Sequence, residues 1–160
     1  RVRSLLLAES PNNIKVQRDY DTSLPDLIGD REKLIQAVLN IARNAVQALL
    51  SNNTPDAKVT LRTRAERQVT LSRKRYRVAI KLEIIDNGPG IPSNMLDKIF
   101  YPLVTGREDE GGAGLGLALA QTFITQHHGM IDCKSEPGNT CFTILLPIES
   151  TAIKHAIIKQ

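Results

Sequence analysis

Val78-Ala79-Ile80-Lys81-Leu82-Glu83-Ile84-Ile85-Asp86-Asn87-Gly88-Pro89-Gly90-Ile91-Pro92 is the stretch from which the rest of the chain is read. Tyr76 to Asp86 alternates as a strand, with Val78, Ile80, Leu82 and Ile84 on one face and Lys81 and Glu83 on the other. Asp86 shares the apolar parity. A carboxylate therefore ends an apolar face and aims at the layer that covers it, which solvation at a strand end does not explain. Asp-Asn-Gly alone is an ordinary turn signal, and Gly88 to Pro92 must turn. The strand in front of it makes the difference.

Two other features belong with this one. Gly111-Gly112-Ala113-Gly114-Leu115-Gly116-Leu117 opens a helix that runs to His128, with Leu117, Ala120 and Ile124 on its apolar side. Gly112, Gly114 and Gly116 are spaced G-x-G-x-G with no lysine after them, so this is not a P-loop. It follows a polar loop rather than a strand, so it is a poor dinucleotide fingerprint. The bland reading is a flexible entry to a helix. The sharper one is an anion site at that helix N-terminus, where backbone N–H groups lack partners. Upstream, Asn40 and Asn44 lie four apart on a helix predicted over Arg31–Leu50. An isolated pair of this kind is usually a polar helix face, but asparagine carbonyls are hard oxygen ligands that suit magnesium. The three features together point to a magnesium nucleotide.

The remaining elements place these features. Asn13 to Tyr20 reads as a strand and Asp21 to Asp30 as a loop, with Asp30 as N-cap of the Asn-bearing helix. In that helix Leu34, Val38, Ala42, Ala45, Val46 and Leu49 form one apolar stripe, with Asn40 and Asn44 opposite. Lys58–Arg64, Gln68–Ser72 and Tyr76–Asp86 read as three strands, the last two a hairpin. Asn94 to Phe100 reads as a short helix, Thr105 to Ala113 as a mobile loop, and Met130–Ser135 with Thr140–Leu146 as a closing hairpin. If Ser135 pairs with Thr140, Cys133 and Cys141 face opposite sides of the sheet as reduced packing residues. Helices alternating with hairpins predict an α/β two-layer sandwich with a mixed sheet.

At 160 residues, 41% hydrophobic and 24% charged, the chain is long enough for one real core. No apolar run approaches a membrane span and no signal peptide is visible. Seven of the 21 Lys and Arg fall between Arg62 and Arg77, with Glu66 the only acid among them. That patch favours an acidic partner or is simply a solvated hairpin. Nucleic-acid binding there is disfavoured, because aromatic content is 4% and no stacking platform is evident.

Taken in order, Asn40 with Asn44, Asp86–Pro92 and Gly111–Leu117 resemble the N, G1 and G2 boxes of the sensor histidine kinase ATP-binding domain. That domain is a branch of the gyrase-, Hsp90- and MutL-type ATPases. Phe100-Tyr101-Pro102-Leu103-Val104-Thr105-Gly106-Arg107-Glu108 resembles the F box and lid of the nitrogen-regulation, NtrB-type kinases. Each motif alone is weak; the ordered set, covering most of the chain, is specific. The resemblance implies the Bergerat-type ATP-binding fold over residues 1–148, a C-terminal tail over 149–160, and ATP and Mg2+ as cofactors.

Carried over residue by residue, Asp86 would accept a hydrogen bond from the adenine amino group and reject guanine, whose keto oxygen would face the carboxylate. Gly88, Gly90 and Ile91 would border the base, and Thr140 would support Asp86. Gly112, Gly114, Leu115 and Gly116 would receive the phosphates. Asn40 and Asn44 would offer oxygens to the metal. Thr105 and Arg107 belong to the lid, and Arg107 is the candidate catalytic cation, balancing charge as the γ-phosphoryl leaves. Ala113, Asn139 and Met130 depart from the family pattern, and Asp109 and Glu110 lengthen the lid.

His127, His128 and His155 lack the context of a phosphoacceptor histidine. The resemblance therefore implies an acceptor on a dimerisation domain of the same protein, and a chain starting at Arg1 reads as the catalytic piece. It further implies an NtrC-type response regulator and the PII signalling protein as partners, no nucleic acid, no membrane, a cytoplasmic setting, a monomeric fragment and a homodimeric whole. Two readings compete. A clamp-type ATPase would need an acidic base on the Asn-bearing helix, where Asn40 stands. A nucleotide-sensing docking module for PII or a receiver would bind without kinase chemistry.

Overall fold

The computed structural model describes residues 1–10, 13–101, 113–149 and 157–158. Helix α1 is Val2–Glu9, strand β1 Lys15–Asp19, β2 Leu27–Ile28 and helix α2 Arg31–Ser51. Strands β3, Lys58–Leu71, and β4, Lys74–Asp86, form a long hairpin. Helix α3 is Ser93–Leu96 and α4 Ala113–Gln126; β5 is Met130–Glu136, β6 Asn139–Pro147 and β7 Ile157–Ile158. Five strands make one sheet in the order β1-β3-β4-β6-β5, with β1 parallel to β3 and every other pair antiparallel. Helices cover one face of this mixed sheet, as the alternation of elements predicts.

Strand β4 lies at the centre, and its even-numbered residues supply the middle of the core. Ile80, Leu82 and Ile84 are buried against α2 and α4, while Lys81 and Glu83 turn to the open face. There Lys81 pairs with Glu66 at 3.5 Å. On β6, Thr140, Phe142, Ile144 and Leu146 repeat the alternation.

Helix α2 begins where Asp30 caps it, its carboxylate accepting the Lys33 N–H at 3.1 Å. The buried set is wider than the apolar stripe and adds Ala37, Leu39 and Ile41. The cause is tertiary: α2 packs on the sheet, on α4 and on α1, so more than one side is covered. Helix α1 was not among the sequence expectations. Its Leu6 is buried, and Glu9 pairs with Arg43 on α2 in a two-pronged bond of 2.6 and 2.9 Å. Arg43 is thereby committed to α1.

Three expectations are corrected. Lys58–Arg64 and Gln68–Ser72 are not separate strands but one, because pairing runs on through Ala65↔Ile80 and Arg67↔Val78. The interruption is confined to Gln68, whose φ is +55°. The hairpin turns at Ser72–Arg73, both left-handed at φ +49° and +67°, as a two-residue turn between twisted strands requires. Asn94–Phe100 contains only the four helical residues of α3 and then a run of turns. Finally, Asp21–Asp30 is not all loop: Leu27–Ile28 pairs antiparallel with Ile157–Ile158 from the stretch read as a tail.

The β3–β4 hairpin outruns its neighbours. Pairing to β1 ends at Asp19↔Arg62, and pairing to β6 ends at Ala79↔Pro147. A second small core gathers there, with Val69, Leu71, Tyr76, Ala79 and Leu145.

Candidate functional site

The last inward residue of β4 is Asp86, and only 4% of it is exposed. Its Oδ1 accepts the Gly88 N–H at 2.9 Å, and no second hydrogen bond to it is found among the described residues. Burial pushes its carboxyl above the ordinary aspartate range, and the Gly88 N–H only partly offsets this. A carboxylate held this way can accept a donor that brings its own apolar surroundings.

The turn after it is shaped by contact as much as by conformation. A Cβ at Gly88 would lie 2.9 Å from Asp86 Oδ1 and 3.4 Å from Leu49, so a side chain there displaces the carboxylate. Gly90 has φ +90°, and a Cβ would meet the Glu136 carbonyl oxygen at 2.9 Å. Gly88 and Gly90 therefore abut the β5–β6 hairpin, and the Gly138 N–H donates to the Gly88 carbonyl at 2.8 Å. The Ile91 N–H donates to Ser135 Oγ at 2.7 Å, and Ser135 Oγ lies 2.7 Å from Thr140 Oγ1. Thr140 is buried and directly opposite Asp86 across β4–β6. Asn87 is structural: its side chain accepts the Lys58 N–H at 2.8 Å and donates to the Asp56 carbonyl at 2.9 Å.

The two asparagines are not equivalent. Asn40 Nδ2 donates to the Gly116 carbonyl on α4 at 3.2 Å, and its Oδ1 accepts from Gln36 Nε2 at 2.6 Å. The Gly116 carbonyl fixes this orientation, since only the amide nitrogen can face it. Asn40 thus brackets α2 to α4, with its oxygen already engaged. Asn44, one turn on and half-buried, makes no side-chain hydrogen bond among the described residues, so its carbonyl is the one free for a hard cation. No cluster of His, Cys, Asp or Glu able to hold a metal exists among the described residues. A nucleotide metal held by a single asparagine oxygen, phosphates and water needs none.

Gly116 lies within α4 beside Asn40 but is not crowded by it. A Cβ there would sit 3.7 Å from Asn40 Cβ, an ordinary contact. Neither packing nor φ demands a glycine at this position. Gly114 and Leu115 fall in the first turn of the same helix. Thr105, Arg107 and Gly112 lie outside the described residues. The C-terminal end of α4 is tied separately: His127 Nε2 accepts the Asp30 N–H at 2.9 Å, and its Nδ1 lies 2.8 Å from the Phe123 carbonyl.

Cys133 and Cys141 are free and face opposite sides, as the register predicts. Burial, with Asp132, Cys141 and Asp86 nearby, pushes the Cys133 thiol up to about 12, which makes it a packing group rather than a nucleophile. An open groove of about 970 Å³ between α1 and the edge strand β1 contains no residue of either glycine box. Sequence reasoning missed Ser135 and Gln36. A serine in a strand and a glutamine in a helix carry no local signal; their partners are 44 residues away and across one helical turn respectively.

Residues 29–150 match the family described as histidine kinase-, DNA gyrase B- and HSP90-like ATPases, and the chain belongs to that family. Among individual relatives, the sensory histidine kinase/phosphatase NtrB of Klebsiella oxytoca is 50% identical over 148 residues, covering 92% of this chain. NtrB of Vibrio alginolyticus is 49% identical over the same length. The chain spans 41% of the length of each of these relatives. The mycobacterial sensor histidine kinase MprB superposes with a TM-score of 0.66 at 26% identity, covering 92% of this chain and 88% of that one. The catalytic domain of histidine kinase ThkA shares the fold, with a TM-score of 0.72 at 22% identity over 91% of this chain and 87% of that one.

Proposed function

We propose that this chain binds Mg-ATP and donates the γ-phosphoryl group to a histidine on a dimerisation domain of the same protein, as the catalytic part of an NtrB-type kinase. The observation that carries this is Asp86, a buried carboxylate that accepts one hydrogen bond among the described residues and is followed by two glycines, at each of which a side chain would collide with its surroundings. Such a group pairs with an exocyclic amino group and repels a keto oxygen, which selects adenine over guanine. Gly88, Gly90 and Ile91 border the base. Gly112, Gly114, Leu115 and Gly116 present backbone to the phosphates at the start of α4. Asn44 supplies the metal oxygen and Asn40 holds α4 in place, joining the metal only if it releases Gln36. Mg2+, when bound, neutralises phosphate charge; Thr105 and Arg107 close the lid side, with Arg107 balancing charge in the transfer.

The identity to NtrB relatives supports an NtrC-type response regulator as the next acceptor and the PII protein as a regulator. It likewise supports a homodimer for the whole protein, a monomer for this domain alone and a cytoplasmic setting. No described helix is long and apolar enough to cross a membrane.

Titration of labelled ATP and GTP, each with and without magnesium, tests the nucleotide reading: ATP should bind, and more tightly with magnesium. Tight GTP binding, or no binding of either, would overturn it. Kinase function is tested by adding a dimerisation domain bearing the acceptor histidine. Acid-labile phosphate should appear on that domain and not on this chain; label on this chain alone would point to an acceptor within it.

A further inference from the structure

The edge of the main sheet at β1 is open, and its surroundings carry mostly one sign of charge. Strand β1 is paired only with β3. The Lys15 N–H donates to the Ala57 carbonyl and the Asp21 N–H to the Thr63 carbonyl, so the odd-numbered residues of this stretch turn their main-chain groups toward β3. Those of Val16 and Arg18 therefore turn away from it. Of these four groups only the Val16 carbonyl has a partner among the described residues, the Arg3 Nε–H of α1 at 3.3 Å. An unpaired row of this kind is a template for one more strand.

The open groove beside this edge is lined by five cations, Arg3, Lys15, Arg18, Lys58 and Arg62, against one acid, Asp19. Asp19 is already committed: its Oδ2 accepts from Arg62 Nε at 3.0 Å and from Arg64 Nη2 at 2.9 Å. Lys15 and Lys58 stand in register on neighbouring strands, whose backbones lie about 4.8 Å apart. Neither lysine makes an ion pair among the described residues. Like charges at that spacing repel, and an anion between them relieves the repulsion. Cations on an edge strand also keep it from pairing with its own kind, since a second copy of this chain would bring the same charges face to face. A strand carrying carboxylates meets no such barrier. The charge that turns away one class of partner attracts the other.

We propose that the β1 edge docks an extended, acidic segment of a partner protein, which adds to the five-stranded sheet as one more strand. The segment's main chain bonds to Val16 and Arg18 and takes the place of the Arg3 contact. Successive side chains of a strand alternate between faces. Carboxylates on one side of the segment meet Lys15 and Lys58 on the open face of the sheet, and those on the other meet Arg3 and Arg18. Leu7, 42% exposed on α1, gives an apolar contact along the same groove. Because the groove holds no residue of either glycine box, docking leaves Asp86 and its turn free.

The test uses an acetylated seven-residue peptide alternating glutamate and valine, titrated calorimetrically into the chain, with amide exchange followed at Val16 and Arg18. The peptide should bind, more weakly as salt rises, and should slow exchange at both amides. The same peptide N-methylated at every residue keeps its charge and loses its donors; it should bind about tenfold more weakly or worse. Its lysine–valine counterpart should not bind. Lys15→Gln with Lys58→Gln should bind the acidic peptide about tenfold more weakly, yet melt no lower than wild type, because a repulsion has been removed. ATP affinity should be the same with and without peptide. Absence of binding, equal binding of the N-methylated peptide, or an unchanged affinity in the double variant overturns the proposal. So does displacement of ATP by the peptide. Protection of the Val16 and Arg18 amides in the chain alone overturns it too, since a second copy or the chain itself would then cover the edge.

Discussion

At the scale of single residues, the buried carboxyl of Asp86 is expensive to keep. Burial raises its carboxyl pKa in the folded chain above the unfolded value, so the ionised form opposes folding. The folded state holds the proton more tightly, and stability falls as pH rises from the ordinary carboxylate range through the raised value. Asp86→Asn removes this cost while an amide oxygen can still accept the Gly88 N–H. The variant should therefore melt higher than wild type without nucleotide and lose that part of the pH dependence. Its ATP affinity should drop by about 1.5–3 kcal/mol, the worth of a hydrogen bond to a charged group. Thermal melts from pH 4 to 7 with and without ATP read both effects; a variant that melts lower and binds unchanged would remove Asp86 from recognition.

The glycines divide in a similar way. Gly88→Ala places a methyl against the Asp86 carboxylate and should impair both folding and binding. Gly116→Ala meets no such contact and gains helix propensity, about 0.5–1 kcal/mol. It should fold as well as wild type or better, and lose triphosphate affinity if backbone approach is the reason for the glycine. Calorimetric melting set beside ATP titration separates the two; a Gly116→Ala variant with full affinity would leave the glycine unexplained.

At the scale of elements, α2 is held to α4 at both ends. Near the first turn of α4 the tie is Gln36–Asn40–Gly116; near its end it is His127 against Asp30. Gly29 sits under the His127 ring, where a Cβ would come within 2.6 Å of it. Helix α4 is thus positioned before any ligand arrives, as a phosphate site at its N-terminus requires. The two asparagines should then separate in experiment. Asn44→Ala should weaken ATP binding with magnesium much more than without it. Asn40→Ala should weaken both conditions alike and lower the melting temperature, because the bracket is lost. Isothermal titration in magnesium and in EDTA decides; the reverse pattern would exchange the roles.

At the scale of the whole molecule, the chain closes on itself away from Asp86 and its glycine turn. Ile157–Ile158 pairs with Leu27–Ile28, just ahead of the Asp30 cap of α2. Ending the chain at Glu149 should expose the Leu27 and Ile28 amides to rapid hydrogen exchange and lower the melting temperature, while ATP affinity changes less than about twofold, since distant sites act nearly independently. Protection at those amides that survives the truncation would mean that β2 does not depend on β7.

Most of the architecture was legible because the information is local. The period of two through Val78–Asp86, the stripe on α2, the Asp30 cap and the Ser135↔Thr140 register follow from pattern and turn chemistry within a few residues. Asp86 stood out by the same logic, as a charge at an apolar parity. What escaped were relations between distant segments. Asn40 and Asn44 look alike along a helix, and only the approach of Gly116 makes one a bracket and leaves the other free. Arg43 carries no mark of its partner in the helix pattern, and only the packing of α1 brings Glu9 within 2.6 Å of it. Ser135 had no signal of its own, because a lone hydroxyl in a strand acquires meaning only from Ile91 and Thr140. Periodicity encodes which face a side chain takes; which partner it meets there is settled when the layers pack.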